Sequence, residues 1–155
     1  MKKLNNFITE KLKLNKDFKD IEYSYQPKTR KELKELVDKL IEERGYDANL
    51  NDIDTSEITD MHSLFLCTRF NGDISEWNVS NVIDLHSMFR NSEFDGDLSK
   101  WNISNAKNTE MMFDGSKFTG KNGDISKWNV SNVKTMRGMF DHCPLEKNPP
   151  KWYKK

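Results

Sequence analysis

A six-residue phrase recurs along this chain at nearly constant spacing, and that recurrence restricts the fold more than any other feature. Trp77-Asn78-Val79-Ser80-Asn81-Val82 returns as Trp101-Asn102-Ile103-Ser104-Asn105-Ala106 and again as Trp128-Asn129-Val130-Ser131-Asn132-Val133. A degenerate copy, Ile53-Asp54-Thr55-Ser56-Glu57-Ile58, precedes them by the interval that separates Trp77 from Trp101, and Trp152 follows Trp128 at that same interval. Other columns keep the register: Leu64, Met88, Met112 and Met139; Phe65, Phe89, Phe113 and Phe140; Phe70, Phe94, Phe118 and Leu145. The copy between Trp101 and Trp128 is slightly longer, and its extra residues fall in one loop, Thr119 to Asn122. A period of this length means repeated units that cannot bury an apolar face alone and stack to complete a common core.

Within a copy, Ile74-x-x-Trp77-x-Val79 suits a short strand with Trp77 and Val79 on one face. Ser80 or Asn81 is placed to cap a short helix over Val82–Phe89, because Val82, Leu85, Met88 and Phe89 follow helical spacing. Asn71-Gly72-Asp73 is turn chemistry. The expected fold is therefore an α/β solenoid over residues 49–146. It would have roughly four repeats of about 24 residues, each a short strand plus a short helix. Residues 1–48 are expected to form an N-terminal helical cap. Its main helix is bounded by the capping box Thr29-x-x-Glu32 and by Gly45, with Leu33, Leu36, Val37, Leu40 and Ile41 in one stripe. A weaker helix near Leu4–Leu14 and a short strand at Ile21–Tyr25 are expected beside it. Residues 147–155 form a truncated last repeat, and Pro149-Pro150 with Lys151, Lys154 and Lys155 are expected to close that end to another chain.

The phrases Phe70-Asn71-Gly72-Asp73-Ile74-Ser75-x-Trp77-Asn78-Val79-Ser80-Asn81-Val82 and x-Asp84-Leu85-x-Ser87-Met88-Phe89 resemble the BspA-like leucine-rich-repeat proteins over roughly residues 49–153. The resemblance implies a right-handed, leucine-rich-repeat-like coil with short strands on one side, and a binding role of the surface or adhesion kind. The chain departs from that family in having few repeats, no anchor and no apolar run after Met1-Lys2-Lys3 to make an export signal. Those departures point to a stand-alone intracellular, phage-encoded or mobile-element protein.

No constellation in the chain carries catalytic chemistry. His142 and Cys143 are sequence neighbours, and adjacent side chains usually point apart rather than pair as nucleophile and base. His62, His86 and Glu110 share one column, but a fourth metal ligand is missing and Arg137 fills the next place. Asp73, Asp97 and Asp124 follow glycines, yet the period is not that of calcium-binding repeats, so they read as turn residues. The Asn78, Asn102 and Asn129 column begins three glycosylation sequons; with no export signal, it and the Ser80 and Asn81 columns read as ladders that satisfy backbone groups. Cys67 and Cys143 are too few for a disulfide framework and are expected to be free thiols in a reducing compartment. Net charge is zero, which argues against a nucleic-acid binder held by counterion release. The balance conceals a split: residues 51–113 carry a net −7 and residues 114–155 a net +5.

The expected function is a non-enzymatic protein-binding module, monomeric and cytoplasmic, that binds and blocks a host protein. It needs no cofactor, metal or membrane, and nucleic acid is not an expected partner. The candidate partner surface is the outward positions that vary between copies: Glu76, Lys100 and Lys127 beside the tryptophans, and His62, His86, Glu110 and Arg137 in the second half of each copy. The alternatives are a structural or assembly component, in a virion or at a surface, and, more remotely, a metal-dependent or other enzyme.

Overall fold

Backbone N–H groups along one side of each copy donate to the copy that follows it. Met61, Ser63, Phe65 and Cys67 donate to the carbonyls of Asp84, His86, Met88 and Arg90, each at 2.9 Å. Leu85, Ser87, Phe89 and Asn91 repeat the pattern onto Asn108, Glu110, Met112 and Asp114, and Thr109, Met111, Phe113 and Gly115 repeat it onto Thr135, Arg137, Met139 and Asp141. The intervening N–H groups turn back within the copy: Leu64 donates to Met61 and Leu66 to Ser63. Each copy is thus a circuit of tight turns, a coil, laid in parallel register on the next. The computed structural model describes residues 23–154.

The expected strand and helix in each repeat do not form. Among the described residues the only α-helix is α1, Arg30–Arg44, with a single 3₁₀ turn at Pro144–Glu146, and no strand is present. Pairing between coils is confined to isolated parallel bridges, Asn49 with Asp73, Asp60 with Asp84, Asp84 with Asn108, and Asn108 with Thr135. Helical spacing over Val82–Phe89 misleads for an identifiable reason. Consecutive β-turns also bring every third or fourth side chain inward, and Val82, Leu85, Met88 and Phe89 are indeed fully buried. A helix there would need N–H bonds four residues back, whereas these N–H groups reach three residues back or across to the next coil. Ser87 (φ 53°) and Asn91 (φ 53°) also lie in the left-handed region, as do their column-mates Ser63, Cys67, Met111, Gly115, Gly138 and His142. Such residues cannot continue a right-handed helix.

The core is a double file of phenyl rings. Phe65, Phe89, Phe113 and Phe140 lie face over face with centroids 5.6, 5.5 and 5.7 Å apart and planes within 6°. Phe70, Phe94 and Phe118 make the second file, and within each coil the two files meet at 4.8, 4.4 and 4.2 Å. The tryptophans flank these files, and every indole N–H donates to a carbonyl of the coil before it: Trp77 to Leu50, Trp101 to Ile74, Trp128 to Leu98 and Trp152 to Ile125, at 2.9–3.2 Å. A buried indole needs such a partner. Coils approach closely at the turn glycines: a Cβ on Gly72 would sit 2.0 Å from the Ala48 carbonyl oxygen. The extra residues of the third coil are tied down by Asp95, which accepts from the backbone and hydroxyl of Thr119 and from Asn122.

The two ends are finished differently. α1 begins where Thr29 Oγ1 accepts from Glu32 N–H and ends at Gly45 (φ 93°). It buries Leu33, Val37 and Leu40 completely, with Leu36 and Ile41 partly covered. Arg30 Nε donates to the His62 carbonyl at 2.7 Å, meeting a group that no preceding coil could satisfy. The expected helix near Leu4–Leu14 lies outside the described residues. So does Ile21 of the short strand, whose Tyr25 makes one parallel bridge to Ile53. At the other end Trp152 stacks on Trp128 at 6.2 Å and Tyr153 meets the ring of Phe140 edge-on at 5.0 Å. This tail covers the tryptophan and phenylalanine columns. Val130, Val133 and Met136 stay only partly buried.

Phe113 is enclosed on all sides, so Phe113→Ala is expected to cost about 3–5 kcal/mol, read as a fall in the urea midpoint, with Phe113→Leu costing less. A loss below about 1 kcal/mol would mean that the rings are not the core.

Candidate functional site

The outward residues occupy two separate rows. Glu76, Lys100 and Lys127 stand on exposed turns just before successive tryptophans. Lys100 Nζ pairs with Glu76, one coil below, which holds the Glu76 carboxylate and raises the Lys100 ammonium above its ordinary value through that hydrogen bond. Lys127 makes no such pair among the described residues. The second row runs along the side of the stack that carries the parallel N–H bonds. His62 Nδ1 lies 2.8 Å from Asp60 Oδ1, and His86 Nε2 lies 3.3 Å from Ser87 Oγ. Glu110 is half-buried and Arg137 exposed. The two histidines therefore turn to separate neighbours rather than to a common centre, and no cluster of three metal-ligating side chains occurs among the described residues.

The asparagine columns bond to backbone groups, and they do so at the surface. Asn81, Asn105 and Asn132 each donate from Nδ2 to the serine carbonyl of the preceding coil, Ser56, Ser80 and Ser104. Asn78, Asn102 and Asn129 accept from the N–H two residues on, at Ser80, Ser104 and Ser131. All six side chains lie on the surface, where clasping a backbone group competes with water and fixes the edge of the coil.

One cluster escaped the sequence reading. Asp114 accepts from Arg90 Nε at 2.9 Å and lies 2.9 Å from His142 Nδ1, so a single carboxylate ties three successive coils. Glu146 accepts from the His142 N–H at 3.0 Å. The signal was in the spacing. Arg90 and Asp114 hold the same column one repeat apart, as Glu76 and Lys100 do, and in a stack each unit touches the one beside it, so opposite charges in one column are neighbours. The adjacent Cys143 does not join this cluster as a nucleophile. Its Sγ is buried against the Phe140 carbonyl at 3.2 Å, and burial pushes the thiol up, away from the thiolate. Both cysteines are free.

Residues 31–152 match the family described as "Mycoplasma protein of unknown function, DUF285". The chain belongs to this family. The matched span runs from α1 through every coil to Trp152, so the cap and the stack are parts of one family unit. No curated protein and no solved structure matches significantly. No helix among the described residues is long and apolar enough to cross a membrane.

The Asp114 carboxylate raises the His142 imidazole above its ordinary value, first by hydrogen bonding and then by charge. The protonated ring is the form that the fold favours. Its contribution to stability is complete below the ordinary imidazole value of about 6.5 and is lost as pH rises through the raised folded value. His142→Gln is expected to lower the urea midpoint at about pH 5.5 and to leave it unchanged at about pH 9. An equal gap at both pH values would remove the charge on His142 from the account.

Proposed function

We propose that this chain is a non-enzymatic protein-binding module whose coils hold a rigid, variable surface against another protein. The observation that carries the reading is the contrast between columns. The inward places repeat the same residue types and are buried, with Phe89, Phe113 and Trp101 at 0%, 0% and 3% exposure. The outward places differ in charge and size from coil to coil: Glu76, Lys100, Lys127 in one row, and His62, His86, Glu110, Arg137 in the other. A scaffold that fixes its interior and diversifies one side suits recognition of a large surface. The charge split between the early coils and the C-terminal part favours a partner with complementary polarity, steered in by the field. The free thiols favour a reducing compartment, and we assign the protein to the cytoplasm, acting on a host protein by occupying its surface. The resemblance to BspA-like repeat proteins favours the same class of role, although by analogy alone.

The test is site-specific photo-crosslinking in host cells. A crosslinker at Lys127 or Glu110 is expected to give a discrete protein adduct that one at Lys31, on α1, does not. Lys127→Glu and Glu110→Lys should weaken capture of that partner at least tenfold while changing stability by no more than about 0.5 kcal/mol. Adducts indifferent to position, or substitutions that unfold the chain, would refute the reading.

A further inference from the structure

The last coil ends in a half-open ledge. Upstream, each coil meets the next through a repeated set of backbone bonds at one corner. Ile83 N–H donates to the Thr59 carbonyl, Lys107 to Ile83 and Lys134 to Lys107, at 2.7–2.8 Å. Close by, Met61, Leu85 and Thr109 donate forward to the carbonyls of Asp84, Asn108 and Thr135, and Ser63, Ser87 and Met111 donate forward to His86, Glu110 and Arg137. The fourth coil carries the same groups in the same places: the carbonyl of Lys134 and the N–H groups of Met136 and Gly138. None of the three has a hydrogen-bond partner among the described residues.

The side chains at this corner agree. Val130, Val133 and Met136 are partly exposed, while their column-mates Val79, Val82 and Leu85 in the second coil are at 1%, 0% and 0%. The tail does not cover the corner, since Trp152 and Tyr153 sit on Trp128 and Phe140. The row's last N–H, that of His142, is already met by the Glu146 carboxylate. The chain so supplies its own example of an acidic group on this edge.

We propose that the ledge at Lys134–Gly138 is a docking edge for an extended segment of the partner protein, which adds itself as the next layer of the stack. This rests on the protein-binding reading above and specifies the partner's chemistry. An unpaired row of donors and acceptors is a template for strand addition. The segment's required pattern can be read from the residues that fill the equivalent place in an inner coil, Val82-Ile83-Asp84-Leu85-His86. The first and fourth positions face inward and must be apolar, to cover Val133 and Met136. The second and fifth face outward beside Lys134 and Arg137 and should be acidic. One N–H of the segment meets the Lys134 carbonyl, and two of its carbonyls meet Met136 and Gly138. The Asp141 carboxylate lies near Gly138, whereas the acidic positions of the segment stand in the columns of Lys134 and Arg137.

A second copy of this chain does not fit. The carbonyl row that would complement these N–H groups is at the first coil, where Arg30 of α1 already holds the His62 carbonyl. Two ledges face to face would bring Lys134 and Arg137 of one copy against those of the other, like charge against like.

The probe is a fluorescent synthetic peptide with the core Val-Asp-Thr-Leu-Glu, titrated into the full chain by anisotropy. Controls are the same peptide with lysines at the two acidic positions, and one methylated at the backbone nitrogen that should meet Lys134. The acidic peptide should bind, and each control should bind at least tenfold more weakly. Lys134→Glu should weaken the acidic peptide and strengthen the lysine peptide. Met136→Pro, which removes the unused donor together with a side chain packed against the core, should weaken both peptides more than Met136→Ala, which removes the side chain alone. Equal binding of all three peptides, no binding at millimolar concentration, or indifference to Lys134→Glu would overturn the proposal. So would self-association of the chain that is abolished by the same substitutions. If the peptide fails while Lys127→Glu still weakens partner capture, the ledge is excluded and the protein-binding reading stands.

Discussion

Four phenyl rings, Phe65 to Phe140, repeat at a separation of 5.5–5.7 Å, within about 1 Å of the roughly 4.8 Å at which hydrogen-bonded backbones lie side by side. Ring packing and backbone pairing therefore act together at a similar spacing. The area buried by the rings supplies most of the drive to stack. The hydrogen bonds contribute less on net, but leaving them unmade in a dry interior would cost more than they give. This explains how a chain that is only 35% apolar and 32% charged can hold a core: the apolar residues are few, large and placed in register.

Much of this was legible in the sequence, for a definite reason. A column that must stack tolerates little change, so Trp, Phe and Met stand out at fixed spacing, and the caps of α1 follow rules local to Thr29, Glu32 and Gly45. The internal form of each coil was not legible. Val82, Leu85, Met88 and Phe89 satisfy helical spacing and turn spacing alike, and what decides between them is where the N–H groups go. That is settled by a neighbour almost a full repeat away, as with Ser63 and His86, and no local window contains it. Ser87 and Met111 in the left-handed region were equally hidden, since neither is a residue that advertises a turn.

The site was legible in outline only. Which positions face outward follows from the inward columns, so Glu76, Lys100, Lys127 and Arg137 were found by subtraction. Which of them is engaged within the molecule does not follow. Lys100 is held by Glu76 and Arg90 by Asp114, and both pairs become visible once a whole repeat is counted as one step. The ledge at Lys134–Gly138 was concealed by the opposite expectation, that prolines and lysines after residue 147 would seal the end. It is Trp152 and Tyr153 of that tail that cover the end, and only its other half, over Trp128 and Phe140.

The bonds that join the coils run along the axis of the stack, with α1 fastened at one end and Trp152 at the other. A pull between those ends would load the layers in series, like links of a chain rather than strands of a rope. The weakest junction would yield first and the others would hold. Each layer set free would release about 24 residues, roughly 80 Å of extended chain, so the molecule would lengthen in steps and act as a ratcheted tether instead of snapping as one body.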